Sequence, residues 1–316
     1  MFKKIILAAI LVGAGVTGAM AQQLPHYTQY LLNDYAINPA VGGSTPYWEA
    51  KSNNRYQWVG VVDAPRTYIL SVQGPTNNRK MGIGGSLFTD ITGPTRRTGV
   101  RLSYAYHLKL NEKMKLSLGA SGGALQFLID GSKIVFREDG DIALSSGIQS
   151  VTVPDAAAGV YLYSDRFFVS VSAPQLLTYK LQFFEDYDQT DSRLARHFFG
   201  AAGYKFALSD DFDLQPAAMV KYVDPVPVQA ELTLRAIYRD AIWAGASYRT
   251  ESAIGIMVGY TFQQNLTLGY SYDFISNNLN RFSTGSHELM LSVKFKKRKT
   301  TRAAAATTSG SAAPVE

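Results

Sequence analysis

The sequence predicts an all-β chain, an antiparallel transmembrane β-barrel of about fourteen strands behind a short irregular N-terminal lead-in. Three observations predict it. In the closing run 285–295, Leu289, Leu291, Val293 and Phe295 fall on alternate positions, with Glu288, Ser292 and Lys294 on the other row and Met290 as its one apolar member. Period two is the period of a strand, and an aliphatic row opposite a polar one suits a wall with lipid outside and water or packed polar groups inside. Similar segments recur along the chain, yet beyond residue 21 no apolar run approaches the roughly 20 residues that a membrane helix needs. Finally, the links between segments sort by length onto two sides.

Residues 1–21 read as a secretory signal: Lys3 and Lys4 supply the charge, residues 5–16 the apolar stretch, and Ala19-Met20-Ala21 the small-residue cleavage site. The chain contains no cysteine, which excludes disulfide staples and thiolate metal sites and leaves stability to the sheet. Residues 22–47 form the lead-in or plug segment, rich in aromatics and amides and ending in the turn formers Asn38-Pro39 and Gly42-Gly43. The barrel spans 48–295. Alternation places its strands at 48–59, 66–74, 80–90, 96–108, 113–130, 156–163, 165–173, 194–207, 211–223, 228–239, 241–250, 253–262, 264–274 and 285–295. An even number returns both ends of the wall to one side, and the N- and C-termini are expected in the periplasm. The short connections are then 75–79, 109–112, 164, 208–210, 240 and 263, while the two longest, 131–153 and 174–193, lie on the outer side. Mid-strand glycines, among them Gly82, Gly84, Gly119, Gly123, Gly203, Gly259 and Gly269, relieve bending or let a plug approach the wall. Tyr104, Tyr161, Tyr163, Tyr260 and Tyr270 are candidates for aromatic girdles. Residues 296–316, Lys296-Lys297-Arg298-Lys299 followed by an Ala/Thr/Ser-rich stretch, read as a basic disordered periplasmic tail. The net charge of +6 belongs to the signal and this tail. The body is neutral, so the surplus is no sign of nucleic-acid binding.

Several blocks recur in a recognisable order: Gln29-Tyr30, Asn33, Asn38-Pro39-Ala40 and Gly42, then Arg55-Tyr56-Gln57-Trp58-Val59-Gly60 and Ala64-Pro65-Arg66-Thr67. Ser103 to His107, Pro154-Asp155, Gly245 to Arg249, Gly269 to Asp273 and Gly285-Ser286-His287-Glu288 follow. Together these resemble the PorP/SprF-like family from about residue 24 to 295. The resemblance implies a Bacteroidota outer-membrane barrel of the type IX secretion and gliding machinery, PorP-like in role. It also implies the partners: PorK-like and PorN-like ring proteins, a peptidoglycan-binding lipoprotein, and secreted cargo or a surface adhesin. The partner- and plug-binding candidates are Tyr30, Asn33, Asn38, Pro39, Gly42, Arg55, Gln57, Trp58, His287 and Glu288, with Gln57-Trp58 receiving the lead-in. Two other roles stay open, a SprF-like barrel that exports and anchors one adhesin, and a passive solute channel.

No catalytic residue, cofactor or metal ligand is expected. Gly119-Ala120-Ser121-Gly122-Gly123 matches the Gly-x-Ser-x-Gly elbow, but inside an alternating strand instead of at a strand-to-helix turn. The histidines His26, His107, His197 and His287 lack zinc-site spacing, and no phosphate-cradling loop is present. His287-Glu288 reads as a hydrogen-bonded pair inside the wall near the outer rim. The acidic stretch 174–193 lacks the ordered spacing of a calcium loop.

Overall fold

The computed structural model describes residues 24–134, 147–181, 183, 193–224, 226–250 and 252–295. The expected signal and tail, and residues 182 and 184–192 of the acidic stretch, lie outside these residues.

Two 3₁₀ turns open the described chain, Asp34–Ala36 and Pro39–Val41. The strands follow: β1 Trp48–Val59, β2 Arg66–Pro75, β3 Met81–Thr92, β4 Thr95–Lys109, β5 Lys115–Asp130, β6 Ile148–Tyr163, β7 Phe167–Gln175, β8 His197–Tyr204, β9 Phe206–Ala207, β10 Phe212–Val223, β11 Val226–Tyr238, β12 Ile242–Arg249, β13 Ala253–Phe262, β14 Leu266–Ile275 and β15 Gly285–Phe295. The pairs are antiparallel and consecutive. β8 and β9 are two pieces of one stave, both paired with β10 and interrupted at Lys205. The sheet therefore has fourteen staves, and it closes because β15 pairs with β1 from Trp48↔Phe295 to Tyr56↔His287. Closure leaves no edge to face lipid.

The connections sort as the alternation predicts. One end carries 76–80, 110–114, 164–166, 208–211, 239–241 and 263–265, and the other carries the two longest, 131–147 and 176–196. Two of the short turns hold both central residues left-handed, Arg239-Asp240 and Gln263-Gln264, as type I′ turns between twisted strands require. The largest departure is β6, which begins at Ile148 instead of residue 156. Pro154 lies within the added stretch. Here β6 pairs along its whole length with β5 but with β7 only from Ala158 onward, and a residue lacking N–H is tolerated where one side is free.

The two faces alternate strictly. Leu70, Leu102, Leu232, Ile256 and Leu289 project outward and are exposed, while Glu49, Asn53, Arg55, Glu231, Asp273 and Glu288 of the inner rows are buried. What buries them is the lead-in, which lies inside the lumen. Tyr104, Tyr260 and Tyr270 face outward as expected of girdle residues. Tyr161 and Tyr163 do not: both sit on the inner row of β6, stack on each other at 5.0 Å and pack against Tyr35, Ala40 and Val41 of the lead-in. Strand phase decides this, since 161 and 163 share the parity of buried Val153, Asp155 and Ala157.

Candidate functional site

The lead-in descends through the lumen from one end to the other. Leu24 lies toward the long-connection end, where its N–H donates to His197 Nε2 (3.2 Å) and its carbonyl accepts from Lys221 Nζ (2.7 Å). Residues 42–43 reach the short-turn end beside Gly74 and Gly82, and the chain turns there into β1. Trp48 and Phe295 thus share the short-turn side, as expected of the wall's two ends. The lead-in itself starts at the opposite level, because its contacts follow the inner face of the strands upward.

Its upper part is fastened by a charged hub. Arg55 on β1 donates from Nη2 to Asp273 Oδ2 (2.6 Å) and from Nη1 to Glu288 Oε2 (3.0 Å). Arg249 on β12 donates to Glu231 (3.0 Å) and Asp273 (3.4 Å). The Thr28 hydroxyl sits between the two guanidiniums, accepting from each at 3.1 Å while donating to Asp273 at 2.7 Å. Glu288 accepts further hydrogen bonds from the N–H groups of Thr28 and Gln29 (2.9 and 3.1 Å) and from Asn53 Nδ2 (2.9 Å). His26 lies 2.6 Å from Glu231 through Nε2. Buried ion pairs of this kind gain little net stability over apolar packing. They fix one position of the lead-in, because any shift strands a charge.

The lower part is fastened by shape. Asn38 caps the second 3₁₀ turn, its Oδ1 accepting from Ala40 N–H (2.9 Å), while Nδ2 donates to Val160 O (3.0 Å) and Ser170 Oγ (2.8 Å) on the wall. Pro39 at the first helical position keeps that turn tight. A Cβ on Gly159 would lie 2.0 Å from Asn38 Oδ1, one on Gly119 2.3 Å from Ala40 N, and one on Gly82 1.8 Å from the Gly42 carbonyl. That carbonyl also takes a 2.9 Å contact from His107 Nε2. Gly84 and Gly269 likewise make room for Tyr35 and Gln29. Gly203 and Gly259 accommodate the rings of Phe168 and Trp243 instead, and Gly123 faces backbone of the neighbouring strand.

The expected site residues divide accordingly. Tyr30, Asn33, Asn38, Pro39 and Gly42 are all inside the lumen, with Arg55 and Glu288 gathered around the same segment. The wholly buried Asn33 accepts at its carbonyl from Ala36 N–H, and nothing in the structure explains its side-chain amide. Gln57 and Trp58 do not receive the lead-in through hydrogen bonds. Their backbone N–H groups donate to Pro65 O and Ser286 Oγ, at a register shift that puts Trp58 at φ 51°. Arg55 receives it instead. The expected His287–Glu288 pair is absent, since neighbours on a strand point to opposite faces. His287 is outside, bonded through Nδ1 to Tyr270 Oη (2.7 Å). Replacing His287 with alanine is therefore expected to cost under about 1 kcal/mol, whereas Glu288→Ala, which orphans four donors, costs several times that. Equal urea midpoints for the two variants in lipid vesicles would contradict this alternation.

Thr28, His26, Glu231, Arg249 and Asp273 were not among the candidates. A signal for the three strand residues exists: each is a charge on the polar row of an otherwise apolar strand. Ser121 of the Gly-x-Ser-x-Gly match lies in the middle of β5, not at a strand-to-helix turn. Among the described residues no cluster of three or more His, Asp or Glu has metal-binding geometry.

The upper lumen is filled on its other side too. Leu181 and Leu194 of the long connection pack on Ile69, Phe88, Leu125 and Val153, with Ala36 of the lead-in against them. Below, a cavity of about 370 Å³ opens at the short-turn end.

A closed antiparallel wall, apolar outside and holding its own N-terminal segment within, defines an outer-membrane β-barrel with a tethered internal plug. The family model described as "Type IX secretion system membrane protein PorP/SprF" matches residues 19–293, and the chain belongs to that family, as an outer-membrane component of the type IX secretion system. No curated protein matches the chain. Solved structures similar to it include the outer membrane protein Omp33 of Acinetobacter baumannii, at 10% identity over 79% of this chain and 98% of that one with a TM-score of 0.47. The CymD monoaromatic hydrocarbon channel is 15% identical over 87% and 94% with a TM-score of 0.48. A Pseudomonas aeruginosa FadL homologue is 13% identical over 82% and 92%, with a TM-score of 0.46.

Proposed function

We propose that the barrel is a closed, non-enzymatic scaffold, PorP-like in role, which docks secretion partners at its short-turn end. That end faces the periplasm in this reading, where the PorK-like and PorN-like ring proteins and the peptidoglycan-binding lipoprotein would meet it, and the long connections face the cell surface and the cargo. One observation carries the proposal: the lead-in runs the length of the lumen and is bonded to the wall at both levels, while the cavity beside it is lined by short-turn residues such as Ser164, Arg166 and Asp240. A passive solute channel has no use for such a filling. The charges of the upper lumen are spent holding the lead-in, which supports a non-enzymatic role. A SprF-like adhesin carrier shares all of these features, and the recovered partner separates the two.

An epitope placed in the connection 174–193 tests the reading. It is expected to bind antibody on whole cells, and its pull-down from outer membranes is expected to recover the ring or peptidoglycan-binding lipoproteins. Recovery of a surface adhesin alone would favour the SprF-like role. An epitope hidden on intact cells would overturn the orientation.

A further inference from the structure

Resting on the reading that protein partners meet the short-turn end, we propose that the cavity there is a socket for a carboxylate-bearing peptide segment of such a partner, with Arg235 as the carboxylate receptor. The cavity has Leu31, Leu32 and Asp34 of the lead-in as its roof, and Arg235 on β11 and Trp243 on β12 in its wall. About 370 Å³ lies in the range of pockets that bury small ligands, and it suits two or three residues of a peptide.

The chemistry follows from which buried cation lines the cavity: Lys221 and Arg97 also lack a carboxylate among the described residues but lie toward the long-connection end, whereas Arg235 faces this cavity. Arg55 and Arg249 each hold two carboxylates, and Lys51 in this same cavity holds Glu49 at 3.1 Å and Asp34 at 3.7 Å. Arg235 is only 9% exposed and has no carboxylate within ion-pair distance among the described residues. Its Nε and Nη2 donate to the neutral amide oxygen of Gln215 (3.2 and 2.5 Å), and its guanidinium lies 5.7 Å from the Trp243 ring. A guanidinium taken out of water beside an amide and an indole is short of a counter-charge. Nearby Asp34 is committed to Lys51. A planar fork matches an incoming carboxylate in two parallel bonds. The indole, Tyr161, Phe168 and the two leucines offer apolar contact to the residues beside it. The hub at the opposite level is compensated differently, because each of its guanidiniums already holds two acids.

The test uses the full barrel in detergent micelles and a fluorescein-labelled, C-terminally amidated peptide with two glutamates flanking leucine, against its glutamine counterpart, read by fluorescence polarisation. The glutamate peptide is expected to bind about tenfold or more tightly, the difference one charge-assisted pair supplies. Arg235→Gln is expected to erase the difference, Arg235→Lys to keep part of it, and Arg66→Gln, at the far end of β2, to leave it unchanged. Heat-modifiable gel migration shows that each variant is folded. Equal binding of the two peptides, an unaltered preference in Arg235→Gln, or binding of dodecanoate without the peptide would overturn the assignment. Pull-downs of wild type and Arg235→Gln separate this from the wider reading. If wild type recovers the lipoproteins and the variant recovers them equally, the socket fails and the docking role stands. If wild type recovers none, the docking role fails as well.

Discussion

Deleting residues 24–43 is expected to turn a silent barrel into a conducting one. Small barrels of about eight strands are filled by their own side chains, whereas barrels of sixteen or more keep a water channel unless something occupies it. A wall of fourteen staves falls between, and what occupies this one is the lead-in: Thr28, Tyr35, Asn38 and Ala40 all reach wall residues from within. The segment contributes no strand to the ladder, so β15 still closes on β1 when it is gone. The hub carboxylates and guanidiniums, exposed by the deletion, become a wetted polar lining beside β11 to β15. The apolar packing of Leu181 and Leu194 covers the β2 to β6 side and does not replace what is lost. In planar bilayers the full chain should give no steady conductance and the deletion discrete open steps. Equal conductance from both would mean that the lead-in does not obstruct the pore, and it would favour a passive channel.

The wall was largely legible because its signal is periodic. Leu289, Leu291, Val293 and Phe295 announce a lipid-facing row by parity alone, and the same parity sets Glu288 and Met290 inward. Turn chemistry supplied the rest. Where the reading missed, the cause is a local word overriding the period. Alternation starts a strand at residue 156, yet β6 extends back past Pro154, which it tolerates on a free side. His287-Glu288 looked like a pair because the two are adjacent, which on a strand is the reason they cannot meet. The site was half legible. The lead-in stood out as unlike the barrel, and Gly82 and Gly119 as mid-strand glycines that let a plug approach. Of its partners, Arg55 and Glu288 stood out only through the family resemblance, and Arg249, Glu231 and Asp273 did not, because the five lie on different strands and gather only when the sheet is rolled and closed. Each could have been found by asking which charges lie on the inner row of an apolar strand. Their convergence on Thr28 could not.

Arg55→Met is expected to release the lead-in before the barrel unfolds. The substitution nearly conserves volume but removes the guanidinium that bridges Asp273 and Glu288, leaving the buried Glu288 short of a counter-charge and Asp273 with only the longer contact to Arg249. Breaking a buried pair from one side costs about 3–5 kcal/mol, and here it falls on the docking of residues 24–30 because the ladder itself loses no bond. Arg55→Lys should recover only part of this, since an ammonium cannot hold two carboxylates in the geometry of a planar fork. Adding Glu288→Gln to Arg55→Met should restore some docking by removing one stranded charge, so the two substitutions are strongly non-additive. Limited proteolysis reads the outcome directly: new cleavage within 24–47 while the heat-resistant barrel band persists. If Arg55→Met instead lowers barrel stability and proteolytic resistance together, with no separate loosening of the lead-in, the hub belongs to the wall as much as to the plug. The lead-in would then be a structural core rather than a displaceable one.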